Sequence, residues 1–284
     1  MPVAIVTDST ASLPPEVAAE RGIVVVPLQV VIGATVYDEG ADGATPELVA
    51  TALREWKPVS TSRPSPAALL EVYEEAAAAG ATEILSVHLS GEMSGTFESA
   101  QLAARDASVR VVAVDTRQVG IATGFAALAA ADTVAAGGTV DDAAEAARRR
   151  SGASSSLFYV DTLEYLRRGG RIGAAAALLG GALAVKPLLQ IQDGRVASLE
   201  RVRTAGRALA RLEELAVQAA GHGPVDVGVA HLASPERAVD LAGRLAERLE
   251  ANLDGREVWC GELGAVLGAH VGPGMLAVCV APRD

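Results

Sequence analysis

Short apolar runs separated by hydroxyl- and glycine-rich turns set the pattern of this chain. Val3–Thr7, Ile84–Val87, Val109–Val114, Leu157–Val160, Val225–His231 and Met275–Val280 read as strands, short and rich in β-branched residues. The run Val109–Val114 is almost pure valine, which predicts a strand buried on both faces of a parallel sheet. Ile23–Ile32 is strand-like but broken by Pro27, and Thr35–Tyr37 is a short extended piece among turns.

Helical segments lie between these runs. Pro14-Pro15 opens a brief helix to about Glu20, and Gly22 closes it. Thr45-Pro46-Glu47 and Ser65-Pro66 each pair a hydroxyl cap with proline in the first turn, predicting helices to about Trp56 and Ala79. Gly120–Ala136, Thr139–Arg150, Thr204–Ala219 and Ser234–Leu253 are further helices. Asp141 and Asp142 open the second of these and Arg148–Arg150 close it, an order that suits the helix dipole and reads as a solvated helix end.

Strand alternates with helix to about residue 150, the pattern of a doubly wound α/β sheet. Ser151–Ser156 reads as a linker, and Gln192-Asp193-Gly194 between two apolar runs signals an antiparallel hairpin. Two domains are expected: an N-terminal, mostly parallel α/β domain over residues 1–155 and a C-terminal mixed α+β domain over 156–284.

The stretch Val87–Ala100 carries the clearest chemistry. A strand ends in a loop where Ser90, Ser94 and Thr96 alternate with Gly91 and Gly95, and a helix begins. The first N–H groups of a helix have no internal partner, so such a loop suits an oxygen-rich ligand. Ser60, Thr61 and Ser62 fall in a loop ahead of a second helix start, and His270 sits in a glycine-rich stretch before the last strand.

Composition narrows the chemistry. The 284 residues carry a formal charge of -11, which disfavours general nucleic-acid binding. Half the residues are hydrophobic yet only 3% are aromatic, so the core rests on Ala, Val and Leu. No apolar run approaches the roughly 18 residues of a membrane span, and no signal peptide pattern follows Met1, so a cytoplasmic protein is expected. Cys260 and Cys279 lack metal or disulfide spacing and read as small apolar fillers near strands. His88 and His231, at strand ends, read as hydrogen-bonded core residues. Lys57 and Lys186 are the only lysines, and neither follows a phosphate-binding glycine loop. Asp8, after the first strand, lacks the second carboxylate of an aspartyl phosphotransferase and reads as a loop-ordering residue.

Three readings of the Ser94 loop follow. It can simply cap the helix; it can hold an oxygen-rich ligand such as a small anion; or Ser94 can act as a nucleophile with His270 as base. The last requires an elbow that the spacing Gly91-Glu92-Met93-Ser94-Gly95 misses by one residue.

Five ordered segments match one family together. They are Val6-Thr7-Asp8-Ser9-Thr10; Thr61-Ser62 ahead of Pro64-Ser65-Pro66; Leu89-Ser90 through Ser94-Gly95-Thr96 to Ser99-Ala100; Leu163 to Gly173; and Gly268-Ala269-His270 with Gly272-Pro273-Gly274. The chain resembles the DegV family and is similar to the fatty-acid-binding subunits of bacterial fatty acid kinase. The resemblance implies a non-catalytic, two-domain lipid-binding subunit with a long-chain fatty acid such as palmitate (hexadecanoate) in a tunnel between the domains, and no cofactor. It assigns the carboxylate to Thr61 and Ser94, with Ser62, Gly95 and His270 beside them. It implies a separate ATP-dependent kinase as partner, faced by Arg171, and at most transient contact with a membrane surface. Arg63 stands where the family carries a small polar residue, a departure at the rim of the site. The Ala/Gly/Leu-rich run Gly173–Ala184 is expected to line the tunnel.

Overall fold

The computed structural model describes residues 2–40, 43–178 and 186–283. In chain order the strands and helices are β1 (Val3–Asp8), α1 (Pro15–Glu20), β2 (Ile23–Val26), β3 (Gln29–Ile32), β4 (Thr35–Asp38), α2 (Pro46–Arg54), β5 (Val59–Ser62), α3 (Pro66–Ala78), β6 (Glu83–His88), α4 (Thr96–Asp106), β7 (Arg110–Asp115), α5 (Ile121–Ala135) and α6 (Val140–Ala153). The second half holds β8 (Ser155–Tyr159), α7 (Glu164–Arg168), β9 (Lys186–Gln192), β10 (Arg195–Val202), α8 (Ala205–Ala220), β11 (Val225–His231), α9 (Pro235–Arg248), α10 (Glu250–Leu253), β12 (Trp259–Glu262), α11 (Ala265–Val271) and β13 (Leu276–Pro282).

The described residues form three sheets. A parallel sheet has the order β2-β1-β6-β7, a mixed sheet the order β10-β9-β8-β13-β11-β12, and a small antiparallel sheet the order β4-β3-β5. The expected α/β architecture, with a parallel and a mixed sheet, is present. The apolar run Ile23–Ile32 serves two sheets. Pro27 cannot donate to a ladder, and the chain leaves the parallel sheet there before Val30 pairs with Thr61 in the small one. Residues 57–66 are therefore not all loop: Val59–Ser62 is a strand, and its pairing fixes where Thr61 and Ser62 sit.

Several expectations are corrected. The valine run of β7 pairs in parallel as expected, but it is an edge strand and only Val114 is fully buried. Ser151–Ser156 is no linker: α6 runs on to Ala153 and β8 starts at Ser155. The arginine-rich end of α6 is not fully solvated either. Arg150 is held by Asp226 and the carbonyl of Pro282 and stacks on Phe125, 5.7 Å from the ring centre. That ion pair ties the last helix before β8 to β11 and β13. The expected helix from Ser234 to Leu253 breaks at Leu249 into α9 and α10. Cys279 is a buried filler in β13, whereas Cys260 on the edge strand β12 is exposed.

His88, Ser86, Tyr73 and Asp8 form a fully buried polar chain in the parallel sheet. The Tyr73 hydroxyl donates to Ser86 Oγ at 2.8 Å, Ser86 Oγ meets His88 Nε2 at 2.7 Å, and His88 Nδ1 meets Asp8 Oδ2 at 2.9 Å. Asp8 also accepts from the backbone N–H groups of Leu89 and Thr10, both at 3.1 Å. One carboxylate thus orders the loops after β1 and after β6, the ordering role that the sequence suggested. The array superficially resembles a hydrolytic triad, but Ser86 is fully buried and does not line the cavity that opens among the three sheets.

Candidate functional site

A cavity of about 390 Å³ opens among the parallel sheet, the small sheet and the mixed sheet, within the roughly 300–1,000 Å³ usual for small-molecule sites. Thr61, Ser62, Ser94, Gly95, His270 and Arg171 all line it. β5 brings Thr61 and Ser62, the turn before α4 brings Ser94 and Gly95, and α11 brings His270. His270 is therefore on a helix and not in a glycine loop, because the glycines at 272 and 274 follow the helix rather than interrupt it. The cavity body is apolar: Phe158, Leu166, Ile191, Val196, Leu263 and Met275 line it and belong to one buried core cluster.

Thr61 Oγ1 and His270 Nε2 are 2.9 Å apart. His270 Nδ1 is buried and has no hydrogen-bond partner among the described residues. An orphaned acceptor costs less than an orphaned N–H, so the proton belongs on Nε2, donated to Thr61. The Thr61 hydroxyl proton is then free to donate to a group in the cavity. The backbone of Gly169 lies directly against Nδ1; a Cβ there would overlap the imidazole. Burial, reinforced by the positive Arg171, pushes the His270 pKa down from 6.5 to about 4.

That depression has a stability consequence with a defined sign. The folded value lies below the unfolded one, so the contribution is complete above about pH 6.5 and is lost as pH falls toward 4. Its size is on the order of 3 kcal/mol. Urea unfolding of the ligand-free protein at pH 7 and pH 4 is expected to show this loss, and His270→Gln to flatten that part of the profile. An identical pH dependence in the variant would refute the assignment.

The Ser94 turn is tightly held. Ser94 N–H donates to the Ser90 carbonyl at 3.1 Å, and Ser94 Oγ accepts from Thr96 N–H at 3.3 Å and shares a proton with Thr96 Oγ1 at 2.9 Å. Ser94 thus sits one residue before the helix cap position, which is Gly95. With Thr96 as donor, the Ser94 hydroxyl also faces the cavity with a proton to give. The notch in front of Gly95 is filled by Arg63, whose Nη1 reaches the Gly95 carbonyl at 3.1 Å and Glu98 at 2.8 Å. Arg171 donates from Nε to the Met93 carbonyl at 3.0 Å and from Nη1 to the Gly169 carbonyl at 2.6 Å. Arg63 and Arg171 thus add positive charge beside the hydroxyl donors.

No hydrogen bond joins Ser94 to His270 among the described residues. His270 pairs with Thr61, no carboxylate orients its Nδ1, and its depressed pKa makes it a weak base near neutral pH. A nucleophile–base pair needs the opposite on each count.

One site feature escapes the sequence. Glu39 Oε1 accepts from the Val266 N–H at 2.7 Å and so fixes the start of α11, which carries His270; burial, only partly offset by bonds from Ser9 and Val266, raises its pKa. Glu39 and Val266 are 227 residues apart, so no local pattern announces the contact. Arg171, which the resemblance singled out, stands in the cavity wall. Conversely, Gly173–Leu178 supplies none of the lining: it is a 3-10 turn packed on β10, with Ala175 and Leu178 in the core. The rest of the expected lining run, 179–184, lies outside the described residues.

A family model described as uncharacterised protein, DegV family, matches residues 2–283. A DegV domain-containing protein of Streptomyces coelicolor is 54% identical over 281 residues, covering 99% of both chains. A Mycobacterium tuberculosis relative is 36% identical over 281 residues, 99% of this chain and 97% of its own. Among solved structures, a DegV family protein from Thermus thermophilus described for its fatty acid binding superposes with a TM-score of 0.90 at 32% identity, and DegV of Bacillus subtilis, a fatty acid binding protein, with 0.90 at 31%. Each covers 100% of both chains.

Proposed function

The chain belongs to the DegV family, and from that premise we propose that its cavity holds a long-chain fatty acid such as palmitate. The carboxylate meets the hydroxyls of Thr61 and Ser94, Ser62 and Gly95 lie beside them, His270 orients Thr61 from behind, and the tail runs along the apolar wall. The observation that carries this reading is the pairing of an apolar cavity with two hydroxyls, those of Thr61 and Ser94, in its wall. Roughly fifteen buried CH₂ groups would contribute ~12 kcal/mol before ordering costs. The tail supplies affinity and the hydroxyl loop supplies orientation.

In this reading the protein is a non-catalytic subunit. It presents the carboxylate to a separate ATP-dependent kinase, which forms the acyl-phosphate, and Arg171 faces that partner. Single hydroxyl donors suit such a task, because they leave a carboxylate oxygen reachable by a phosphoryl donor. The work of the domains follows: residues 1–155 bring the Thr61 and Ser94 donors, and 156–284 bring His270 and most of the apolar wall. No helix among the described residues is long and apolar enough to cross a membrane.

Organic extraction of the purified protein followed by mass spectrometry tests the reading. Stoichiometric fatty acid is expected. An empty protein that hydrolyses an acyl ester, with activity lost in Ser94→Ala, would replace this function with a hydrolase.

A further inference from the structure

Resting on that carboxylate reading, we propose that Ser90 is a positioning residue: it latches the β9–β10 hairpin turn onto the loop that carries Ser94, so that a turn of the mixed sheet sets the geometry of the carboxylate site.

Ser90 is fully buried and does not line the cavity, so its hydroxyl has another task. Its Oγ donates to the carbonyl of Gly194 at 2.7 Å and accepts from the Glu92 N–H at 3.2 Å. Its own N–H donates to the Gln118 carbonyl at 2.8 Å, and its carbonyl takes the N–H groups of both Met93 and Ser94 at 3.1 Å. Every polar group of Ser90 is used, and together they fix the turn that ends at Ser94.

The other side of the latch is equally specific. Gly194 has φ +79°, and a Cβ there would stand 2.5 Å from Ser90 Oγ. Only glycine brings the hairpin carbonyl this close. Flanking contacts reinforce the junction: Arg117 Nη2 donates to the Asp193 carbonyl at 2.9 Å, and Arg195 Nε to Glu92 at 2.8 Å. The Asp-Gly turn thus does more than reverse the chain. It joins sequence positions 104 residues apart at the foot of the Ser94 turn.

The test compares palmitate with hexadecanol, which has the same tail and no carboxylate, on delipidated protein. Ser90→Ala is expected to weaken palmitate binding about tenfold while hexadecanol binding changes less than about twofold. Adding Ser90→Ala to Ser94→Ala should cost little more than Ser94→Ala alone, since the first acts through the second. Arg195→Ala, at the exposed edge of the latch, should reduce the preference for palmitate about threefold with the fold intact, and it decides the matter if Ser90→Ala does not fold. Equal losses for acid and alcohol, additive losses in the double variant, or an unchanged preference in Arg195→Ala would overturn the positioning role. A wild-type protein that binds both ligands equally would instead overturn the carboxylate reading, and this inference with it.

Discussion

Asp8→Ala is expected to destabilise the protein by about 3 kcal/mol or more, since several buried donors lose their acceptor at ~1–3 kcal/mol each. Asp8 is fully buried, and it accepts from His88, Leu89 and Thr10. Alanine leaves those donors without partners in the core of the parallel sheet, and an unmet buried donor bears its full desolvation penalty. Asp8→Asn should also be costly. The carboxamide keeps one acceptor but turns an NH₂ toward either the Leu89 and His88 donors or those of Thr10. Urea titration of the ligand-free variants measures the effect. A loss below about 1 kcal/mol in Asp8→Ala would show that the polar chain through His88, Ser86 and Tyr73 is not an anchor.

Ser94→Ala and Thr61→Ala are expected to weaken fatty acid binding by about ten- to a hundredfold each. Each deletes a hydrogen bond to a charged acceptor, worth ~1.5–3 kcal/mol. Neither side chain is in the core, so Ser94→Ala should change thermal stability little, whereas Thr61→Ala orphans the buried His270 N–H and should also lower it. The two variants should differ in binding as well. Thr61→Ala also leaves His270 Nε2 without its partner, so its loss should exceed that of a simple donor deletion, whereas Ser94→Ala leaves Thr96 able to fill the turn. Ligand occupancy measured after purification, and affinity after delipidation, provide the readout. Undiminished occupancy in both variants would remove Thr61 and Ser94 from the carboxylate site.

Much of the fold was legible because the local rules were obeyed. Pro46 and Pro66 follow hydroxyl residues that cap their helices, with Thr45 accepting from Leu48 N–H and Ser65 from Ala68 N–H. The Asp-Gly hairpin formed where the sequence placed it. Errors arose where a local pattern was consistent with two tertiary settings. A valine run is the same at the edge of a sheet as at its centre, and only neighbouring strands decide which it is. Serines after an arginine-rich helix look like a linker until Asp226 and the Pro282 carbonyl draw Arg150 inward.

The sequence by itself determined most of the element types and the parallel and mixed sheets, since caps, turns and periodicity act over a few residues, but it read β5 and α11 as loops. It also bounded the chemistry, through the missing phosphate-loop lysine and the spacing before Ser94. Tertiary structure alone decided how these parts meet. His270 gains its partner 209 residues away in Thr61, the start of α11 is held by Glu39 just after β4, and the Ser94 turn is held by a hairpin of the mixed sheet. The physical reason is that burial and hydrogen-bond closure are properties of assembled surfaces. A hydroxyl has a free proton to offer a ligand only once every other partner has been assigned, and that accounting is completed by residues far away in the chain.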